Sequence, residues 1–236
     1  MVDKPDHAMS ALFGKTFPFG FPQAFLKRVH QTLTHLPMSP PPDPTTKREL
    51  FGGAITCEFP TRLVDVSDFR PVPDNQEVWT DADRDESVIV ELLDRVEVGP
   101  SDDVGAAKWF FDDLAEVNDA SVSSGLSTIE EVRILTKTEV PNLNGSFEHA
   151  SLAVGTSSIA KGRVGTDKRN QVRVAIVNVR LSQVGTDLLI TINRATTIAE
   201  GSSADAPEAG DKEISAANAL TQITNSLKIE NWSLFG

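Results

Sequence analysis

From Leu50 onward the chain alternates short apolar runs with polar, turn-forming stretches. Most of these runs have the two-residue period of strands. Leu50 to Phe59 (LFGGAITCEF) reads as a first strand, with Gly52 and Gly53 allowing close backbone approach. Leu63 to Pro73 reads as an irregular connection. Asp65 or Ser67 can cap a single helical turn there, and Pro71 and Pro73 stop it. Gln76 to Thr80 is a short strand, and Ser87 to Leu93 a strand buried on both faces, since Val88, Ile89 and Val90 are consecutive β-branched residues. Further strands are expected over Thr128 to Val140, Phe147 to Lys161 and Arg169 to Ser182. The last is spaced on Val172, Val174, Ile176 and Val179, with one irregularity after Ile176. A turn on Gly185 returns Leu188 to Asn193 as a hairpin.

Two segments carry the helical period instead. In Asp102 to Glu116, Ala106, Trp109, Phe110 and Leu114 form a stripe, extended by Val117, with Ser101 as N-cap. In Ser215 to Lys228 the stripe is Ala216, Ala219, Leu220, Ile223 and Leu227. Trp232, Leu234 and Phe235 form an apolar tail expected to dock. Strands, one helix, more strands and a second helix predict an α+β fold, an antiparallel sheet with helices packed on it.

Residues 1–48 have a different character and are expected to be a flexible extension with a Pro-rich linker, leaving 49–236 as one domain. Phe17 to Pro22 is interrupted by Gly and Pro, Gln23 to Leu36 can form an amphipathic helix, and Met38 to Pro44 (MSPPPDP) is extended. The acid-poor start shares features with an organelle transit peptide but has little Arg and Ser. A disordered tail is the favoured expectation, and translation from Met38 is a third.

Charge narrows the function. The net charge is −12, and the span Asp74 to Asp119 holds 15 acidic residues against 3 basic ones, so all of the excess lies in 46 residues. Phosphate-rich partners need the opposite sign, so no nucleic acid is expected. A basic protein partner or a merely solvated face both fit. No apolar run is long enough for a membrane helix, and no membrane association is expected. The lone Cys57 fits a small buried hydrophobe, and three of the four histidines, His7, His30 and His35, fall in the N-terminal extension. No phosphate-binding Gly-rich motif or nucleophile elbow occurs, and Lys161, Arg163, Lys168 and Arg169 read as a basic loop. The adjacent acids Asp112 and Asp113 read as solvent-facing. No catalytic residue, metal or cofactor is therefore expected.

Three pieces carry a more specific message: LFGGAI, then DVSDFRPVPDNQEVW (Asp65 to Trp79), then SVIVELL. In this order and spacing they resemble the Ran guanine-nucleotide release factor family, small Ran-binding proteins of nuclear transport. WFFDDLAEVN (Trp109 to Asn118) and VRLSQVGTDLLITIN (Val179 to Asn193) are similar more loosely. The resemblance implies a PsbP-like α/β/α sandwich with about six antiparallel strands. It implies a monomeric, non-enzymatic regulator of nucleus and cytoplasm that binds the small GTPase Ran and promotes nucleotide release. It places partner-binding candidates at Asp74 and Glu77, with Asn75 and Gln76 beside them, Asp65 and Asp68 as second choices, and Arg70 at the edge. From the residues alone, Asp74 could equally be a turn residue bonding its own backbone, and Glu77 a solvent-facing strand residue. Trp79 could anchor an interface or fill the core. Two other functions fit the chain: an organelle-targeted PsbP-like scaffold subunit, and an adaptor for basic proteins without exchange activity.

Overall fold

The computed structural model describes residues 43–96, 105–143, 147–160, 169–199 and 212–236, with side chains of the last stretch from 218. All belong to one compact unit, Pro41–Gly236. The expected helix over Gln23 to Leu36, most of the proline-rich linker, the Ser101 cap and the basic loop from Lys161 to Lys168 lie outside the described residues.

Seven strands make one fully antiparallel sheet in the order β3-β4-β5-β9-β8-β7-β6. They are β3 (Val64–Asp65), β4 (Gln76–Asp81), β5 (Glu86–Asp94), β6 (Ser127–Ile134), β7 (His149–Ala160), β8 (Arg169–Leu181) and β9 (Thr186–Thr197). The long central strands β8 and β9 join through Gly185, whose φ of +63° suits glycine. Beyond that turn Arg180 pairs with Asp187 at 3.0 Å, both buried. Asp187 also accepts from the Val96 amide, and Arg180 donates to the Val96 carbonyl, which ties down the chain beyond β5.

Each face of this sheet meets a different layer. Val177, Val179, Leu188, Ile190 and Ile192 face one core. Helix α2 (Lys212–Ser226) contributes Ala219 and Ile223 to it, and β2 (Ile55–Pro60) contributes Ile55, Cys57 and Phe59. Val172, Val174, Ile176, Ala153 and Leu189 face the other, under Ala107, Phe110 and Phe111 of α1 (Gly105–Val117). The change of parity after Ile176 is therefore no slip in β8, which pairs without a break there. Even positions bury on one face and odd positions on the other. Helices on both faces of an antiparallel sheet agree with the expected sandwich, with seven strands where six were anticipated.

A second, three-stranded sheet was not anticipated. β1 (Thr45–Leu50), β2 (Ile55–Pro60) and β10 (Lys228–Ile229) are ordered β1-β2-β10. The expected single strand from Leu50 to Phe59 is thus a hairpin, with Leu50 paired to Ile55 across a tight turn of Phe51 to Ala54. Phe51, Gly52 and Gly53 all have positive φ, and a side chain added at Gly52 would meet nothing. The glycines are there for backbone conformation rather than close approach. Residues 45–48, assigned above to the linker, are strand and pair with 57–60.

Three smaller expectations shift. The buried face of α1 keeps Ala106 and Phe110 of the predicted stripe and adds Ala107, Phe111 and Ala115, while Leu114 is half-buried and Trp109 (43%) and Val117 (75%) are exposed. Trp79 fills the core, edge-on to Phe59 at 5.4 Å and under the Arg48 guanidinium. Strand β5 is buried at Val88 and Val90 but only half-buried at Ile89. The tail docks as expected, with Trp232, Leu234 and Phe235 against the core.

One glycine does mark a close approach. A Cβ at Gly155 would sit 2.1 Å from the Thr128 carbonyl and 2.8 Å from the Phe111 ring. Gly155→Ala should therefore cost about 3 kcal/mol, because neither a strand backbone nor a buried ring can yield. Urea unfolding should show a lower midpoint at an unchanged m-value.

Candidate partner-binding site

The candidates lie on the connection between β3 and β4, at one edge of the large sheet. The connection is rigid for local reasons. Asp65 Oδ1 accepts from the Ser67 amide at 2.8 Å, an Asx turn. The Phe69 and Arg70 amides both donate to the Val66 carbonyl, and the Val66 amide donates to Val78. This is the single capped turn expected above, with Asp65 as the cap. Pro71 and Pro73 carry the chain to a second turn, closed by the Gln76 amide on the Pro73 carbonyl at 2.9 Å.

Asp74 and Asn75 are the central residues of that second turn. Asn75 is engaged: its carbonyl accepts from the Leu92 amide, and its side chain donates to the Leu92 carbonyl. Asp74 is exposed, and no described group bonds to its carboxylate. Asp68 and Arg70 are also exposed on the loop.

The pleat then separates Gln76 from Glu77. Gln76 lies on the α1 face, donating to Glu91 Oε1 at 2.6 Å from directly across the strand pair. Burial raises the Glu91 pKa, and the Gln76 bond partly offsets this. Glu77 lies on the face toward the small sheet, beside Asp65. Its Oε1 accepts from the Phe51 amide at 2.6 Å, the first positive-φ residue of the hairpin turn. Burial pushes the Glu77 pKa up, the Phe51 amide opposes this, and the Asp65 charge adds to it. Glu77 is therefore not the plain solvent-facing residue that alternation alone allowed. It joins LFGGAI to PDNQEV, two pieces 26 residues apart.

Among the described residues, the acidic span does not form one continuous face. Arg62 donates to Asp43, Asp81 and Glu86; Arg84 bonds Asp43, and Arg194 bonds Glu86. Asp81 and Glu86 are buried within this set of three acids and three arginines. The guanidiniums outweigh the effect of burial on Asp43 and hold its carboxyl below the usual range. On α1, Asp112 pairs with Lys108 while Asp113 is exposed. The acids at this sheet edge are thus sorted: Asp81 and Glu86 are neutralised inside, Glu77 holds a turn, and Asp74 and Asp68 face water.

Sequence reasoning missed three contributors. The Phe51 amide has no side-chain signature. The pairing of Arg62 with β4 and β5 is long-range. Phe69 is 77% exposed, and its setting among Asp68, Arg70 and Pro71 was the available signal.

The family model described as "Ran-interacting Mog1 protein" matches residues 48–195, and this chain belongs to that family. The Dictyostelium discoideum "Probable ran guanine nucleotide release factor" is 36% identical over 194 residues, covering 80% of this chain and 95% of the relative. The Homo sapiens Ran guanine nucleotide release factor is 32% identical, covering 82% and 98%. Among solved structures, the Saccharomyces cerevisiae Ran-binding protein Mog1p covers 82% of this chain at a TM-score of 0.60. Its 23% identity bears on the fold alone.

Two outcomes follow from the geometry around Glu77. Glu77→Ala should cost about 1–2 kcal/mol, since it leaves the part-buried Phe51 amide without its acceptor. Glu77→Gln keeps an acceptor oxygen. The parent carboxyl has a raised folded-state pKa, so its contribution to stability is full below the unfolded value near 4.5 and is lost as pH rises through the folded value. Glu77→Gln should therefore match or exceed the parent at pH 7 and lose that advantage toward pH 4, read by thermal unfolding across pH.

The neighbouring thiol gives a further outcome. Burial, assisted by the Glu77 charge, pushes Cys57 up to about 12. It should resist a thiol reagent at pH 8 in the native protein and react at once in denaturant. Rapid native labelling would contradict the burial.

Proposed function

We propose that this chain binds the small GTPase Ran and promotes release of its guanine nucleotide, supporting protein transport between nucleus and cytoplasm. Its relatives carry the names Ran guanine nucleotide release factor and nuclear import protein. In this reading it is a regulator with no reaction chemistry of its own, a monomer, acting in both compartments. The working domain starts at β1, and the residues before it are an extension.

The observation that carries the site assignment is Asp74. It is an unpaired, solvent-facing carboxylate at the tip of a rigid turn within the family-like segment. Nucleotide release requires binding the empty GTPase more tightly than the loaded one. GTPases hold phosphates with a lysine, backbone amides and Mg²⁺. A presented carboxylate can take over such positive groups once the phosphate leaves, in charge-assisted bonds that the loaded state does not allow. Glu77 acts at the same edge, either by its remaining carboxylate oxygen or by holding the hairpin turn against the strand.

The test is capture of the full chain by nucleotide-free, GDP-bound and GTP-bound Ran, with nucleotide release followed in parallel. Preference for the nucleotide-free form is expected, and equal binding to all three states would exclude an exchange role. Asp74→Asn should weaken binding by about tenfold without loss of stability. Glu77→Gln should weaken binding if the charge contacts Ran, and preserve it if Glu77 acts through the turn.

A further inference from the structure

Phe69, 77% exposed, is the most exposed large apolar side chain among the described residues, and the loop that carries it is held in place. Its amide and that of Arg70 are bound to Val66, Val66 is bound to Val78, Asp65 caps the turn, and Pro71 and Pro73 fix the chain beyond. A flexible loop would fold such a ring onto the nearby sheet, because an aromatic side chain carries 150–250 Å² of surface. Here the bonded backbone holds the ring on the outside, so the loop's share of the ordering cost of an interface contact is already met.

Its surroundings have the layout of an interface centre. Asp68 and Arg70 flank it, and Asp74 stands exposed at the next turn, so an apolar centre has a charged rim. On one side Arg70 forms the lip of a groove of about 510 Å³. Val78 and Ile89 line its floor where α1 leaves the sheet uncovered, and Leu114 of α1 lines its far wall. A contact centred on Phe69 can thus extend over the acidic turn in one direction and over this concave floor in the other.

We infer that Phe69 is the apolar anchor of the GTPase-binding surface, inserted into a shallow apolar pocket of the partner bordered by basic groups. This rests on the reading of the chain as a Ran-binding protein. The division of labour follows from the chemistry. The rim carboxylates speed encounter, and the desolvated ring slows dissociation.

The experiment measures association and dissociation rates of the full chain on immobilised nucleotide-free Ran, for the parent, Phe69→Ala, Phe69→Leu and Asp74→Asn. Phe69→Ala should hardly change the melting temperature, because the ring is 77% exposed, and raise the dissociation rate by about 10- to 100-fold. Its association rate should hardly change. Phe69→Leu should recover most of the loss. Asp74→Asn should show the opposite split, with slower association and a weaker salt dependence. A parent that binds Ran while Phe69→Ala dissociates at the parental rate overturns the anchor alone. A parent that binds no form of Ran overturns the partner assignment and the anchor with it.

Discussion

Arg62 is the residue on which the two sheets depend. It follows β2 of the small sheet, and its guanidinium reaches Asp81 at the end of β4, Glu86 at the start of β5, and Asp43 ahead of β1. A buried carboxylate without a partner is costly enough to change protonation state or break the fold. Two of them at adjoining strand ends therefore demand matched cations in fixed positions, and Arg62, Arg84 and Arg194 supply them. Burial pulls the Arg194 pKa down, against the opposing pull of Glu86, whereas Arg62 among three acids is held above its ordinary range. Arg62 is thus firmly charged and is the hub of the set. Pairing of this kind adds little net stability but strongly penalises any other docking of the small sheet on the large one.

The same pairing decides which charges remain for a partner. A count of acids along the chain suggests one broad negative face, yet the fold neutralises Asp81 and Glu86 internally and sets Glu77 on a backbone amide. What faces water at this edge is a short acidic turn and a rigid loop. A localised charge beside a fixed apolar group recognises one complementary surface, whereas a diffuse negative field attracts any basic protein.

The parts of the fold legible in sequence are those where one local pattern has one meaning. Strands β8 and β9 carry long apolar, β-branched runs because both their faces are buried, and the turn on Gly185 is marked by its glycine. The β1–β2 hairpin was illegible because apolar Phe51 and Ala54 stand inside its turn, so LFGGAI runs on without a polar break. β1 itself (TTKREL) is an edge strand whose polar residues face water, and such strands lack the apolar alternation. In α1 the stripe holds at Ala106 and Phe110 and fails at Trp109. Ala107 and Ala115 allow the helix to lie close to the sheet, which leaves Trp109 at the side. Of the site, the turn at Pro73 to Gln76 was readable from its residue types. The bond from Glu77 to the Phe51 amide was not, since a backbone donor leaves no trace in composition.

Rigidity connects this site to the core. β4 bonds to β5, β5 to the central strand β9, and the Asp74 turn is held to β5 through Asn75 and Leu92. On the opposite face Glu77 fixes the strand to the small sheet, and Trp79 locks that contact against Phe59 and Arg48. β4 is therefore restrained in the plane of the sheet and on the face toward the small sheet, and the turn that leads into it is held with it. For a regulator that must favour one state of its partner, this matters more than gross affinity. A compliant surface would adapt to the loaded and empty partner alike and shift nothing. A stiff one gains its full contact only with the state it matches. The buried pairs thus give the few exposed groups a fixed geometry, and in the proposed exchange role selectivity between partner states rests on that geometry.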